Sequence, residues 1–333
     1  MHMYRLQGSY HQIGAEYGLL LRAGRVPLPQ VTRARREFAR ECEPYVRELM
    51  PELFDELEGI AEGGEYDPER ITTAALLLNA KPGCTAVAIA GTHTASGHTI
   101  FGRNYDWFAA STRHTALCNT LPEGALSSIG SNDRLVGRFG GVNSAGVAIA
   151  IAAVEGGPDH PGVIFTLAAR AVLDRCRTTA EAVDLLQSIR HMRTINFLIA
   201  DVSGNIATVE AGRYAFSAIR AEQGFGMIAN QFQSETMARY ERVRRRPKNS
   251  TQRLVALREW FHSRTSPLTD RDVQDILSTR CPRGVCDPGK GRSAGRGNYF
   301  GTTWSWTVAL GTRCFSLADG MPSQTPYRPY AFE

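Results

Sequence analysis

The stretch NAKPGCTAVAIAGTHTASGHTIFGRNYDWF, residues 79–108, holds a cysteine, an arginine and an aspartate in an arrangement that could do chemistry. Cys84 follows Gly83 at the head of an apolar run, and Arg103 and Asp106 close the stretch after a turn at SGHT. If the Gly83–Cys84 bond were broken, Cys84 would carry a thiol and a free α-amine on one residue. Such an amine has a reference pKa of roughly 7.7–8.0, which suits a base at neutral pH held beside the nucleophile it activates. A cationic arginine favours thiolate over thiol. A carboxylate can accept a hydrogen bond from the α-ammonium and orient it.

Other readings of the same residues exist. A lone cysteine is commonly a small buried hydrophobe, and Arg103 with Asp106 could be an ordinary ion pair beside a turn. A cysteine hydrolase that never cuts its chain would instead need His93 or His98 within hydrogen-bond reach of Cys84. A non-catalytic binding protein would leave the thiol inert. Asn143 and Asn230 adjoin turns, where asparagine often serves the backbone.

The elements that must hold these residues can be read from periodicity. Residues 34–62 carry apolar positions at helical spacing, with Gly63-Gly64 as the stop and a new helix restarting at Asp67-Pro68. After Cys84 strand-length segments dominate: CTAVAIA, HTIFGRNY, AGVAIAIAAV, INFLIADV, NIATVEAG, YAFSAIRA, GFGMIANQF and, later, TTWSWTVAL and RCFSLAD. Helical patterns VIFTLAARAVLDRC and TAEAVDLLQSI interrupt them, and helices are expected at 234–245, 251–263 and 269–278. Runs of consecutive strands argue for an α+β fold with mixed or antiparallel sheets and helices outside, not for a doubly wound parallel sheet. The Gly-, Pro- and Arg-rich segment 281–298 reads as a long flexible surface loop, and its Cys281 and Cys286 lack the companions of a zinc site.

Bulk properties narrow the function. The chain of 333 residues is long enough for an ample core. Its seven cysteines, odd in number and scattered, do not form a disulfide framework, which suits a reducing cytoplasm. The N-terminus lacks the apolar core of a secretory signal, and AGVAIAIAAV is too short to span a bilayer, so no membrane association is expected. The net charge of +5 comes almost wholly from arginine, and the basic run 239–250 reads as a solvated face, not a nucleic-acid surface. No nucleotide-binding glycine motif is present, so no cofactor is expected.

GCT followed by GRNYDW resembles the signature of the penicillin acyltransferase family, relatives of the choloylglycine hydrolases among the N-terminal-nucleophile hydrolases. LQGSYHQIGAEYG (6–18), GGVNSAGVAIA (140–150), NFLIADVSGNIATVEAG (196–212), ANQFQS (229–234) and NSTQRLVAL (249–257) agree in order and character. The resemblance implies a four-layer αββα sandwich and a precursor that cuts itself between Gly83 and Cys84. Residues 1–83 would become a helical N-terminal fragment and residues 84–333 the catalytic core, the two remaining associated. Cys84 would be the nucleophile, Arg103 the arginine contacting it and Asp106 the aspartate binding the α-amine. Asn143 and Asn230 would serve the oxyanion, and Arg253 matches a second arginine of the bile-salt hydrolase branch. The sequence departs from the pattern at Asn230-Gln231-Phe232, where a histidine follows the asparagine in the family. The implied reaction is cleavage of a linear amide of an acylated small molecule or peptide through a Cys84 thioester. Transfer of the acyl group to an amine, as in β-lactam biosynthesis, is the alternative, with an acyl thioester as a candidate donor. A homo-oligomer is left open.

Overall fold

The computed structural model describes all residues except 78–82, 111–114, 134, 222, 290–299, 313 and 333. In chain order the elements begin with β1 (His2–Gly8), α1 (Tyr10–Ala23), α2 (Arg33–Leu49), α3 (Leu53–Gly64) and α4 (Pro68–Leu76). There follow β2 (Gly83–Ile89), β3 (Ile100–Phe108), β4 (Thr115–Pro122), β5 (Ser128–Asp133), β6 (Gly140–Asn143) and β7 (Ala148–Ala153). Next come α5 (Phe165–Arg175), α6 (Thr179–Ser188), β8 (Ile195–Ala200), β9 (Ile206–Ala211), β10 (Phe216–Arg220) and β11 (Phe225–Ile228). The chain ends with α7 (Glu235–Ala238), α8 (Ser250–His262), α9 (Asp270–Ser278), β12 (Phe300–Ala309), β13 (Cys314–Ala318) and β14 (Arg328–Ala331).

Two sheets stack face to face. One has the order β1-β4-β5-β6-β7-β8-β9-β10 and the other β11-β2-β3-β12-β13-β14. The β1–β4 pairing is parallel and the other strand pairings are antiparallel. Helices α5 and α6 cover the outer face of the first sheet, α8 and α9 that of the second, so the layers run αββα. The inner faces are rich in small residues, with Ala86, Ala88, Ala148, Ala150 and Ala152 all buried. Methyl side chains let the sheets approach closely, while Trp304 and Trp306 fill the wider part of the interior.

The helix expected over 34–62 is two helices, α2 and α3, separated at Met50-Pro51-Glu52, because Pro51 cannot continue a backbone hydrogen-bond ladder. The expected restart holds: Asp67 caps α4, its side chain accepting from the Glu69 amide, with Pro68 in the first turn. The helix expected over 234–245 shrinks to α7 and a short 3-10 turn at Val243–Arg245, where arginines face solvent and supply no apolar stripe. The segment expected as a loose loop is ordered over its first part. Val285 and Cys286 are buried, Cys281 N–H donates to the Cys286 carbonyl, and Asp287 is tied to β12. Residues 290–298 of that segment lie outside the described residues.

The N-terminal elements are built into the sandwich. β1 completes the edge of the first sheet on β4, and α1 packs so closely on α3 that a Cβ at Gly14 would fall 2.0 Å from the Glu56 carbonyl oxygen. Beneath them, Arg170 of α5 donates to both carboxyl oxygens of Asp174 at 2.8 Å and to Glu56 Oε2 at 3.1 Å, while Tyr10 donates to Asp174 at 2.9 Å. All four side chains are buried.

Candidate active site

β2 and β3 form an antiparallel pair in which Gly83 faces Asp106, Cys84 faces Tyr105 and Ala86 faces Arg103. Side chains alternate between the faces of a strand, so Cys84, Arg103 and Tyr105 point between the sheets, while Thr85 and Asp106 point toward α8. The turn at SGHT thus folds residues 19 to 22 positions downstream back onto the cysteine. The approach at Gly83 is close, since a Cβ there would sit 3.0 Å from the Asp106 Cβ.

Cys84 is fully buried. Nη2 of Arg103 lies 2.9 Å from its Sγ, and the same nitrogen reaches the Ile151 carbonyl at 3.4 Å. Nε and Nη1 of Arg103 are buried with no partner among the described residues. The guanidinium stands 5.3 Å from the Tyr105 ring centroid and 5.5 Å from that of Trp304, and those two rings stack on each other. Burial pushes the Cys84 thiol up from its ordinary range, and Arg103 opposes that shift while Asp106 adds to it.

On the other face, Arg253 of α8 gathers the backbone and side chains around the cysteine. Its Nη1 donates to the Cys84 carbonyl at 3.0 Å, to Thr85 Oγ1 at 2.6 Å and to Asp106 Oδ2 at 2.8 Å. Its Nη2 donates to Asn230 Oδ1 at 2.8 Å. That same Asn230 oxygen accepts the Cys84 backbone N–H at 3.1 Å, and Asn230 Nδ2 donates to the Ala153 carbonyl at 2.8 Å. Asp106 Oδ1 accepts from the Thr302 hydroxyl at 2.7 Å. Burial raises the Asp106 carboxyl, with Arg253 pulling it back. Around the thiol there are therefore two buried guanidiniums and one buried carboxylate, an excess of one positive charge that a thiolate would neutralise.

Five of the residues expected from the sequence thus converge: Cys84, Arg103, Asp106, Asn230 and Arg253. Asn143 does not, and its expected oxyanion role is corrected. Its Nδ2 donates to the carbonyls of Leu173 and Cys176 and its Oδ1 accepts from Val147 N–H, so it closes the β6–β7 turn onto the end of α5. β7 runs from that turn to Ala153, roughly 17 Å away at strand spacing. Asn230 also differs in detail from expectation, because its oxygen holds the cysteine nitrogen while its amide is bonded to Ala153. His93 and His98 lie beyond the opposite end of β2, where Ile89 faces Ile100, again roughly 17 Å from Cys84 at strand spacing. That geometry removes the reading with a histidine base on an uncut chain. Lys81 and Pro82, before the junction, lie outside the described residues.

Thr85 and Thr302 escape sequence reasoning. Thr85 adjoins Cys84, yet nothing in its type announces an arginine partner 168 residues away. Thr302 sits in GTTWSW, and its link to Asp106 depends on β12 pairing with β3. The Asp287 amide donates to the Thr302 hydroxyl oxygen at 2.8 Å, so the segment after α9 also braces the site. Among the described residues no cluster of metal-ligating side chains occurs, and no helix is long and apolar enough to cross a membrane.

The sequence profile of the acyl-coenzyme A:6-aminopenicillanic acid acyl-transferase family matches residues 93–287, which include Arg103, Asp106, Asn230 and Arg253 and begin nine residues after Cys84. No curated protein matches the chain significantly. Among solved structures, an N-acylethanolamine-hydrolyzing acid amidase ortholog from Caenorhabditis elegans is 16% identical, with 75% of this chain and 100% of that chain covered and a TM-score of 0.50. Penicillin V acylase from Agrobacterium tumefaciens is 17% identical over 71% of this chain and 83% of its own, with a TM-score of 0.46. A mutant conjugated bile acid hydrolase from Clostridium perfringens is 12% identical over 75% and 97%, with a TM-score of 0.44. The architecture is that of the N-terminal-nucleophile hydrolases.

Proposed function

The chain belongs to the acyl-coenzyme A:6-aminopenicillanic acid acyl-transferase family, and from that premise we propose that it is a self-processing cysteine amidohydrolase working through a thioester on Cys84. The observation that carries this reading is the contact of Cys84 Sγ with a buried arginine that no carboxylate pairs among the described residues, while the cysteine nitrogen rests on Asn230. In the uncut chain the thiol attacks the Gly83 carbonyl and the acyl group passes from nitrogen to sulfur, which frees the α-amine; water then hydrolyses the thioester, giving the Gly83 carboxylate and restoring the Cys84 thiol.

The new amine has two hydrogens, and three once it has taken the thiol proton, where the amide had one. Asn230 Oδ1, already 3.1 Å from this nitrogen, takes one of them. Departure of Gly83 opens the way to Asp106, whose Oδ2 stands 3.3 Å from where a Gly83 Cβ would be. In turnover the α-amine accepts the thiol proton and the thiolate, stabilised by Arg103, attacks the substrate carbonyl. The leaving amine takes that proton, a thioester forms, and water then gives the acid and restores the thiol. Arg253 neutralises Asp106 and fixes Asn230 and the Cys84 carbonyl, which makes it a positioning residue. The chemistry needs no cofactor. An amine in place of water would make the same thioester an acyl donor.

Residues 1–83 are proposed to stay bound to residues 84–333 after the cut, held by the β1–β4 pairing and by the Glu56–Arg170 and Tyr10–Asp174 contacts. A mass adduct equal to an acyl group on Cys84, trapped with an N-acyl amide or acyl thioester, tests the reading. Turnover without any Cys84 adduct, retained in Cys84→Ala, would overturn it.

A further inference from the structure

Asn230 sits in a segment, residues 229–234, that leaves β11 and reaches α7 without belonging to either. Backbone groups in such a segment have no regular ladder to bond to, so side chains must meet them. Asn196 on β8 and Glu210 on β9 do so, and both are fully buried. They face each other directly across the β8–β9 pair.

The two divide the segment between them. Asn196 Nδ2 donates to the carbonyls of Ala229 at 3.0 Å and Gln231 at 2.7 Å, the residues immediately before and after Asn230. Glu210 accepts the Gln233 N–H on one oxygen and, on the other, the Ser234 N–H at 3.0 Å and the Ser234 hydroxyl. That hydroxyl oxygen also takes the Met237 N–H, which fixes where α7 begins. Burial raises the Glu210 carboxyl from its ordinary range; these hydrogen bonds oppose the shift and the Glu241 carboxylate adds to it. Backbone and hydroxyl donors meet its oxygens, with no cation among the described partners. A buried carboxylate without a counter-ion is costly, so packing alone would be better served here by an apolar side chain. What the carboxylate supplies is a strong acceptor for two successive backbone N–H groups.

We infer that Asn196 and Glu210 are positioning residues for the reaction: they fix the backbone on both sides of Asn230 and so hold its side-chain oxygen against the Cys84 nitrogen. The inference rests on the function proposed above and extends its machinery to two residues that act through Asn230. Glu210→Gln is nearly isosteric, yet its amide nitrogen would face the Ser234 N–H, donor against donor. The backbone of 229–234 would then shift, and Asn230 Oδ1, 3.1 Å from the Cys84 nitrogen, would lose its place. A displacement of about 1 Å can cost about 10²-fold in rate.

Hydrogen exchange followed by NMR on full-length Cys84→Ala separates positioning from thiol chemistry, because the residue 84 amide donates to Asn230 in the uncut chain. The Val147 amide, held by Asn143 at 2.9 Å before the start of β7, is the internal reference. Glu210→Gln, in the Cys84→Ala background, should speed exchange at residue 84 by about 10- to 100-fold relative to Val147, the range for one charge-assisted hydrogen bond. Asn230→Ala should do the same, and adding Glu210→Gln to it should change the ratio by less than about threefold, since both act through one contact. Asn196→Leu, of similar shape but without the donor, repeats the comparison if Glu210→Gln does not fold. Equal acceleration at both amides, no change at residue 84, or full additivity of the two substitutions would overturn the inference. Selective acceleration at residue 84, with no cleavage at Gly83–Cys84 in the unmutated protein, would uphold the positioning contact and count against the self-processing reading. Cleavage with equal acceleration at both amides would do the reverse.

Discussion

Arg103 Nη2 and Cys84 Sγ are 2.9 Å apart in a fully buried environment, and among the described residues no carboxylate shares that guanidinium. A buried cation without a counter-ion is unfavourable unless something nearby can become an anion, and the thiol is the group in contact with it. Arg103→Met, of similar length but neutral, should therefore raise the thiol pKa further. The measurement is the pH dependence of iodoacetamide labelling, read at Cys84 by peptide mapping with exposed Cys314 as internal reference. The alkaline rise at Cys84 should move to higher pH in the variant, while Cys314 labels as before. An unchanged profile would remove Arg103 from the account.

The two asparagines should separate cleanly. Asn230→Ala removes the acceptor of the cysteine nitrogen and of Arg253 and the donor to the Ala153 carbonyl, and should slow turnover by roughly 10²-fold through misplacement of the nucleophile, with a loss of stability like that of Asn143→Ala. Asn143→Ala breaks three hydrogen bonds at the β6–β7 turn and should cost about 1–3 kcal/mol of stability while the folded fraction keeps its turnover. Steady-state kinetics beside thermal unfolding of both variants check this. The opposite pattern would exchange their roles.

The Glu56–Arg170 contact joins residues that the proposed cut would put on separate fragments. Arg170 keeps Asp174 when Glu56 is removed, so what is lost is a charge-assisted hydrogen bond, about 1.5–3 kcal/mol. Glu56→Ala should lower the unfolding free energy by that order and let the N-terminal fragment dissociate at lower denaturant, as read by size-exclusion chromatography in a urea series. Retention of the fragment at unchanged urea would show that β1 and the apolar contacts suffice.

Acid stability has a separate source. His191 is buried, with Nε2 2.8 Å from the Leu186 carbonyl, and desolvation lowers its imidazole to about 4 from an unfolded value of 6.5. The unfolded chain therefore binds the extra proton first as pH falls. The stabilisation is fully present above pH 6.5 and is lost as pH drops toward 4, by roughly 3 kcal/mol in total. His191→Gln should flatten that slope in urea midpoints between pH 7 and 4. An equal slope in the variant would assign the acid loss to other groups, such as Asp272, whose carboxyl is held low by its hydrogen bonds from Thr269.

What the sequence disclosed of this fold divides along physical lines. β2, β3, β7, β8 and β12 are buried on both faces, and near-continuous apolar runs such as INFLIA and AIAIAA announce β8 and β7. Arg103 and Asp106 could be referred to Cys84 because a connection of only ten residues, 90–99, joins β2 to β3, which keeps their pairing local. Arg253 and Asn230 were legible only through the resemblance, since their contacts with residues 84 and 106 span 146 to 169 positions. Asn143 misled because a glycine-flanked asparagine reads alike whether it serves a turn or a site, and only the α5 carbonyls that it binds decide. β4 and β5 went unseen because CNTLPEGALSSIGSN mixes polar and apolar residues without a clean period.

The central claim is that Cys84 becomes an N-terminal nucleophile, and intact mass under denaturing conditions tests it most directly. The purified protein should resolve into fragments of about 83 and 250 residues, from a chain of 333, the larger beginning at Cys84. Cys84→Ala should remain one species of full-length mass. An active protein that stays a single full-length chain, or one whose Cys84→Ala variant is cut at the same bond, would contradict the account.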